Sequence, residues 1–473
     1  MKHSISIILL TFLLNLSAAP HAAAMEDLFP AADSILKVDW NKEGEAYSRI
    51  SFDTESDGIY EDTGGYDAWV KVENTVRFEE KEDLFLKFDV EGRVVNYWGG
   101  QSDAIEEIQF QEAYAQIDQP RYRLAAGRQT VTWGKLDDAV ILDRINAQDM
   151  RQFFLYEKNE RKIPSLMLEA DYFADNWQLE AVYMPFLEAN EMDFFQSDFS
   201  AFGHIKRIIA RGASYSAAAK NLVDQITIQD DDSVTDRGWD TGQAALRLRS
   251  RIKEVDYGVY FLSVLDAQPT LKEKTSKGNT VKRFLYTQTA DSLTRLVSES
   301  PSGQDLVLTE SHPRVNIVGA DFETVLGTWG VRGEIAAFFD KPFLKEDFGY
   351  TEKNLLSLGI GLDHTTAQNI YLNLQFVEDI VLDDENLYAQ KRDTHAVIGS
   401  LSKPFQRGKI TANLDFAYNL SWKDWMVNPE LTYDFSNGLN AGVGLFVFGG
   451  EPVTRFGRYN DKDLAYISLQ YAF

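Results

Sequence analysis

Ionisable side chains crowd one stretch of this sequence. From Arg121 to Phe173 it reads "RYRLAAGRQTVTWGKLDDAVILDRINAQDMRQFFLYEKNERKIPSLMLEADYF". Arg121, Arg123, Arg128, Lys135, Arg144, Arg151 and Arg161 are interleaved with Asp137, Asp138, Asp143, Asp149 and Glu160. Such a mixture suits three kinds of chemistry: acid–base catalysis, cation binding, and selection of ions at a narrow passage.

Catalysis finds little support. Paired carboxylates are abundant throughout a chain of net charge −26, so no pair stands out. Of the six histidines, His3 and His21 sit in the leader, and His204, His312, His364 and His395 are scattered without a helical metal motif. "GASYSAAAK" lacks the glycine-flanked serine of a nucleophile elbow. Cysteine is absent, which removes disulfides, thiolate metal sites and a thiol nucleophile. The acidic runs "QDDDS" and "DTESDGIYED" lack EF-hand spacing. They read as solvated loops that divalent cations could bridge to lipopolysaccharide phosphates. No enzyme, cofactor or resident metal is expected. The negative balance disfavours nucleic acid.

The third chemistry requires a scaffold with a wet interior. "WVKVENTVRF" sets Val70, Val72, Val76 and Phe78 against Lys71, Glu73, Thr75 and Arg77. "KITANLDFAY" sets Ile410, Leu414, Phe416 and Tyr418 against Thr411, Asn413 and Asp415. Period-two alternation puts one set on each face of a strand. Segments of this kind lie at 44–53, 66–79, 84–96, 107–117, 121–132, 163–173, 177–186, 240–250, 255–265, 313–323, 328–340, 354–364, 369–379, 393–402, 408–419, 425–435, 439–449 and 463–473. Eighteen strands is the favoured count and sixteen the alternative. Connections after even strands are tight. Those after odd strands run long, at 133–162, 187–239 and 266–312 above all. An all-β, antiparallel transmembrane barrel with short periplasmic turns and long outer loops has this rhythm.

The polar faces then line a lumen. Arg49, Arg93, Arg247, Arg249, Arg251 and Arg332 are the inward cations, and Asp89, Glu91, Glu169, Asp171, Asp321, Glu323, Glu334, Asp363 and Asp415 the inward anions. Loop 133–162, with a short helix, is expected to fold inward and narrow the passage. The expected lining comprises Arg121, Arg123, Arg128, Lys135, Asp137, Arg144, Asp149, Arg151, Arg247, Arg249, Arg332 and Glu334. Arg128 has the opposite parity to Arg121 and Arg123. A bulge near Ala126-Gly127, or an early start to the loop, would turn it inward, because a guanidinium facing mid-membrane lipid is costly. A short amphipathic helix is expected within 207–223, as a lid or plug.

The start of the chain has the form of a secretory leader. Lys2 precedes an apolar run from Ile5 to Leu16, too short to span a membrane, and Ala22-Ala23-Ala24 offers a cleavage site. The expected organisation is a signal peptide at 1–24, a periplasmic segment at 25–43 and the barrel at 44–473. The last stretch, "DLAYISLQYAF", puts Ala465, Ile467, Leu469, Tyr471 and Phe473 on one face. This ending resembles the C-terminal signature of Gram-negative outer-membrane barrels, which implies recognition of Phe473 by the barrel-assembly machinery. The pattern "GRQ…WGK…NAQD…ERKIP" resembles an uncharacterised family of porin-like outer-membrane proteins, and more loosely the alginate-export barrels. The resemblance implies a channel in the cell outer membrane, passing small hydrophilic or charged solutes by passive diffusion. An export or lipid-handling barrel with a periplasmic partner, or a sheath for a redox partner, are the alternatives. Outer-membrane lipid and lipopolysaccharide are the expected surroundings, and a homo-oligomer stays open.

Overall fold

The computed structural model describes residues 38–473 except 55, 57–61, 79–80, 101, 140, 153–154, 157–159, 204, 206–208, 210–211, 213–215, 230–240, 274–278, 300–305, 384–386, 389 and 453. The expected leader, most of the 25–43 segment, His204, the Asp230–Asp232 run and most of "DTESDGIYED" lie outside the described residues.

Eighteen antiparallel strands make one closed sheet. They are β1 (Val38–Asp53), β2 (Asp62–Phe78), β3 (Lys81–Gly99), β4 (Ile105–Gln119), β5 (Tyr122–Gln129) and β6 (Ser165–Phe173). Next come β7 (Trp177–Met184), β8 (Gln243–Ile252), β9 (Val255–Leu265), β10 (Arg314–Leu326), β11 (Trp329–Leu344) and β12 (Tyr350–Thr365). The circuit ends with β13 (Tyr371–Val381), β14 (Asp393–Phe405), β15 (Ile410–Asn419), β16 (Asp424–Asp434), β17 (Leu439–Gly449) and β18 (Leu464–Ala472). Each strand pairs with its neighbours in sequence, and β18 closes on β1 from Glu45↔Ala472 to Asp53↔Leu464. β1 begins at Val38, earlier than expected: "VDWNKEGE" has only Val38 and Trp40 as apolar residues, on one face, yet it pairs with β2 down to Phe78.

Closure depends on one glycine. The backbones of Gly44 and Phe473 exchange two 2.8 Å hydrogen bonds. The Phe473 ring occupies the space where a Cβ on residue 44 would stand.

The two faces of the wall are inverted relative to a soluble protein. Phe110, Leu168, Leu246, Phe261, Val318, Ile335, Val443 and Ile467 are exposed on the outside, while Asp89, Asp171, Glu180, Asp321 and Gln375 are buried on the inside. That arrangement is favourable only when hydrocarbon surrounds the wall. Aromatic pairs mark the short-turn end: Trp329–His364 and Tyr471–Phe473 stacked, Tyr172–Trp177 tilted and Tyr433–Phe435 edge-to-face. Rings with one wet edge favour such an interface. No described helix is long and apolar enough to cross a membrane.

At the other end, the β7–β8 and β9–β10 loops fold together into a cap. It holds α1 (Ala217–Asp224), α2 (Thr280–Thr287), α3 (Ala290–Glu299) and a three-stranded sheet of Thr227–Gln229, Val307–Ser311 and Thr270–Glu273. α1 overlaps the C-terminal part of the 207–223 window expected for an amphipathic helix and ends one residue beyond it. It turns Val223 into a core with Phe202, Ile205, Leu271, Phe284, Leu285, Leu296 and Leu308.

Candidate functional site

The loop between β5 and β6 runs inside the barrel, and its two halves are held in different ways. The first half is welded to the wall. Trp133, Leu136, Ile141, Leu142 and Ile145 are buried against Met167, Val182, Ala245, Leu262, Ile317, Ala336 and Phe338, the inward residues of β6 to β11. Backbone donors are met by side chains of the wall. Glu334 accepts from the N–H groups of Lys135, Leu136 (2.7 Å) and Leu142 (3.2 Å). Gln375 accepts from Asp138 and Ala139 at 3.3 and 3.2 Å. Asn146 accepts from Val131 N–H at 2.7 Å and donates to the carbonyls of Gln129 and Ile163. A buried irregular segment must have such partners, since each orphaned donor costs about 1–3 kcal/mol. The Trp133 indole donates to Glu180 at 2.6 Å, and the Arg247 guanidinium lies over its ring at 5.2 Å while pairing with the same carboxylate. Lys162, buried, pairs with Asp143 at 2.7 Å.

The second half crosses to β1–β4 and is held by charge. Arg93 lies 4.5 Å from the Tyr156 ring centre, and Arg49 donates to Leu155 O at 2.6 Å. Arg151 pairs with Glu107 (2.9 Å), Asp149 (2.8 Å) and Glu191 (2.9 Å). In its described residues this loop has the short pairing of Ala147–Gln148 to Lys162–Ile163, a bridge from Asp149 to Glu191 and a 3₁₀ turn at Leu155, whose N–H donates to Gln152 O at 3.0 Å; residues 153–154 and 157–159, where a short helix would continue, lie outside the described residues.

The candidate lining residues therefore separate into several groups. Lys135 pairs with Glu323 at 2.8 Å, and Asp137 with Arg332 at 2.7 Å; Arg332 also holds Asp363. Arg144 is exposed in the lumen, 5.5 Å from the Phe338 ring. Asp149 and Arg151 belong to the β4 cluster, not to a single ring with Lys135 and Arg144. Arg123, Arg247 and Arg249 form a wall cluster with Glu169, Asp171 and Glu180. Those three carboxylates lie within 4.8 Å of one another, and guanidinium groups already neutralise them.

Two residues depart from expectation. Arg121 lies exposed in the short β4–β5 turn, away from the loop. Arg128 is on the outer face. The β5–β6 register is unbroken from Tyr122↔Tyr172 to Gln129↔Ser165, so no bulge resets it, and Arg128 sits opposite outward-facing Leu166. Gly127 bends the strand with φ +139° but inserts no residue. Arg128 is the penultimate residue of the strand, where it pairs with Glu188 of the β7–β8 loop at 3.6 Å.

Between the welded loop and the facing strands lies a cavity of about 1320 Å³. Arg144 and Arg161 line it from the loop, Asp379, Asp415, Glu430 and Ser468 from β13 to β18, and Arg455 and Phe456 from the β17–β18 loop. Burial, then the nearby Arg455 charge, pulls the Arg161 guanidinium down to about 10. Sequence reasoning missed Arg455 and Gln375. Nothing local distinguishes them; their roles come from loops and strands far away in the chain.

A closed, even-stranded barrel with an apolar exterior, a charged interior, tight turns at one end and long loops at the other is an outer-membrane β-barrel. The chain belongs to the DUF1302 family, proteins of unknown function, whose model matches residues 36–436. No curated protein matches it. Its fold is similar to that of OccAB4 of Acinetobacter baumannii, at 11% identity over 92% of this chain and 98% of that one, with a TM-score of 0.48. It is similar also to OccK5 (OpdH) of Pseudomonas aeruginosa, at 10% identity over 92% and 97%, TM-score 0.45. A third similar fold is that of OpdK with vanillate, also of Pseudomonas aeruginosa, at 9% identity over 92% and 98%, TM-score 0.46. Likeness at this level concerns the fold alone.

Proposed function

We propose that this protein is an outer-membrane channel through which small hydrophilic or charged solutes diffuse passively. The observation that carries this reading is the lumen cavity, bounded on one side by a fixed loop and on the other by polar strand residues. Arg144, Arg161 and Arg455 face Asp379, Asp415 and Glu430 across it. Charges of both signs along a confined aqueous passage tune which ions enter it. Lys135, Asp137, Arg332 and Glu334 build the loop's base, and Arg123, Arg247 and Arg249 the wall beneath. Lipopolysaccharide around the long-loop rim, and assembly machinery reading the Phe473 strand, complete the proposal. Swelling of liposomes that contain the purified protein tests it. Small sugars and amino acids should enter at rates that fall with size. Swelling no faster than in protein-free liposomes would sink the reading.

A further inference from the structure

The strand wall has a notch. β4 runs from Ile105, yet β5 pairs with it only from Ala113↔Arg128 to Gln119↔Tyr122. Residues 105–112 keep β3 on one side and, among the described residues, no strand on the other. β5, β6 and β7 have 8, 9 and 8 residues, whereas β10, β11 and β12 have 13, 16 and 16. In a tilted barrel the eight unpartnered positions of β4 correspond to roughly 20 Å of height. The edge is not clear of the membrane. Ile108 and Phe110 point outward on it at 60% and 65% exposure, among the most exposed large apolar groups of the wall. An unpaired edge at hydrocarbon depth is costly unless something covers it.

Loop segments cover it. Residues 148–151 and 188–196 lie across the notch, joined to each other by Met150 N–H to Glu191 O (2.8 Å) and Glu191 N–H to Gln148 O (3.1 Å). They meet the β4 side through the Arg151–Glu107 ion pair and one backbone bond, Asp103 N–H to Gln196 O at 2.9 Å. Gln148, Met150 and Asn190 line the lumen cavity on the inner side of this cover. The barrier between lumen and lipid is thus a loop layer, held by charge where the rest of the wall is held by a hydrogen-bond ladder. Its sill carries Arg128 on the lipid face beside Leu166.

We propose that this notch is a lateral doorway through which anionic amphiphiles exchange between the lumen and the outer leaflet, with residues 148–151 and 188–192 as the door. An acyl-type tail fits the Ile108, Phe110 and Leu166 surface. A carboxylate or phosphate head fits Arg128, which otherwise shares Glu188 at only 3.6 Å. The lumen cavity serves as the compartment behind the door, so the proposal rests on the channel reading for that space. The two fail separately, since ion conductance reads the channel and amphiphile transfer reads the door.

The absence of cysteine permits a direct test. Glu107→Cys/Arg151→Cys removes the ion pair and lets a short bismaleimide tie the door to β4. In proteoliposomes, transfer of a pyrene-labelled fatty acid between membrane and protein lumen should rise several-fold in the untied variant. It should fall below wild type once tied, while the tie itself leaves the double variant's ion conductance unchanged. Transfer indifferent to the tie, or tracking conductance in parallel, would overturn the doorway. A second measurement is independent of the double variant. A fluorophore on Met150→Cys should be quenched by nitroxide lipids in the outer leaflet, and one on Thr394→Cys of β14, across the lumen, should not. Equal quenching at both positions, or none at either, would contradict the proposal.

Discussion

The two halves of the barrel's inner wall are built on opposite rules. From β6 to β11 the inward positions include Met167, Val182, Ala245, Leu262 and Ala336, and the β5–β6 loop covers them, with Ile317 and Phe338 at the edge of the cavity. From β14 to β18 they include Ser400, Asp415, Glu430, Thr432, Asn440 and Ser468, and these face the cavity. A lumen does not have to be polar everywhere. Where the loop is docked, the wall is a protein core; β14 to β18 are open to the cavity, and β9 to β13 reach it only past the loop, through residues such as Lys341, Ser357 and Asp379. The loop is therefore part of the fold, and a simple picture of a removable constriction does not apply to its first half.

The largest effect that would break this contrast is deletion of residues 133–147. The deletion leaves the apolar inner residues of β6–β11 facing water and the notch without its support. Folded, heat-resistant barrel on semi-native gels should disappear. Recovery of normal barrel would mean that the loop only rests on the wall. A milder change sharpens the same point. Glu334→Leu orphans three buried N–H groups of the loop, a cost of roughly 3 kcal/mol or more. Asp415→Leu on the open arc should cost far less. Urea midpoints of the two variants in matched lipid should differ accordingly, and equal midpoints would erase the distinction between the arcs. On the outer face, Ile335→Arg should cost about 2–4 kcal/mol if it lies near mid-membrane. Because both arcs share one outer surface, Leu414→Arg should behave alike; tolerance at either site would contradict the lipid-facing assignment there.

The smallest effect concerns the charged loop layer over the notch. Burial raises Asp193 to about 6, against the opposing pull of Arg151, with Asp149, Asp103 and Glu107 adding to the rise. A carboxyl with a raised value in the folded state favours that state when protonated. Docking of residues 188–196 should therefore be tighter at pH 5 and loosen as pH rises through about 6. Hydrogen-exchange protection of these amides, corrected for intrinsic rates, should be greater at pH 5 than at pH 7.5. The reverse order would contradict the assignment.

Much of this architecture is legible in the sequence, for a physical reason. Period-two patterning reports which face a residue occupies, and "IYLNLQF" or "KITANLDFAY" reads directly as a strand with a dry and a wet side. Turn and loop lengths then give the even count. The covered arc is illegible because its inner positions are apolar as well. "YGVYFLSVL" in β9 carries no polar face to mark Tyr260, Leu262 and Val264 as inward. Ion-pair partners are hidden too. Arg151 finds Glu107 and Glu191 through tertiary placement, although its own loop supplies nearer carboxylates in sequence. Arg128 was placed inward on the cost of burying charge in lipid. That argument did not allow for a strand ending early, with Glu188 of the β7–β8 loop meeting it.

Planar-bilayer recording tests the central claim, that solute passes along the open arc, most directly. Wild-type protein should give stepwise conductance. Asp415→Lys/Glu430→Lys, which reverses two charges on that arc without touching the welded loop, should shift the reversal potential toward anion preference in a salt gradient, with the barrel still heat-resistant. A folded double variant that conducts with unchanged selectivity, or wild-type protein that conducts nothing, would contradict the account.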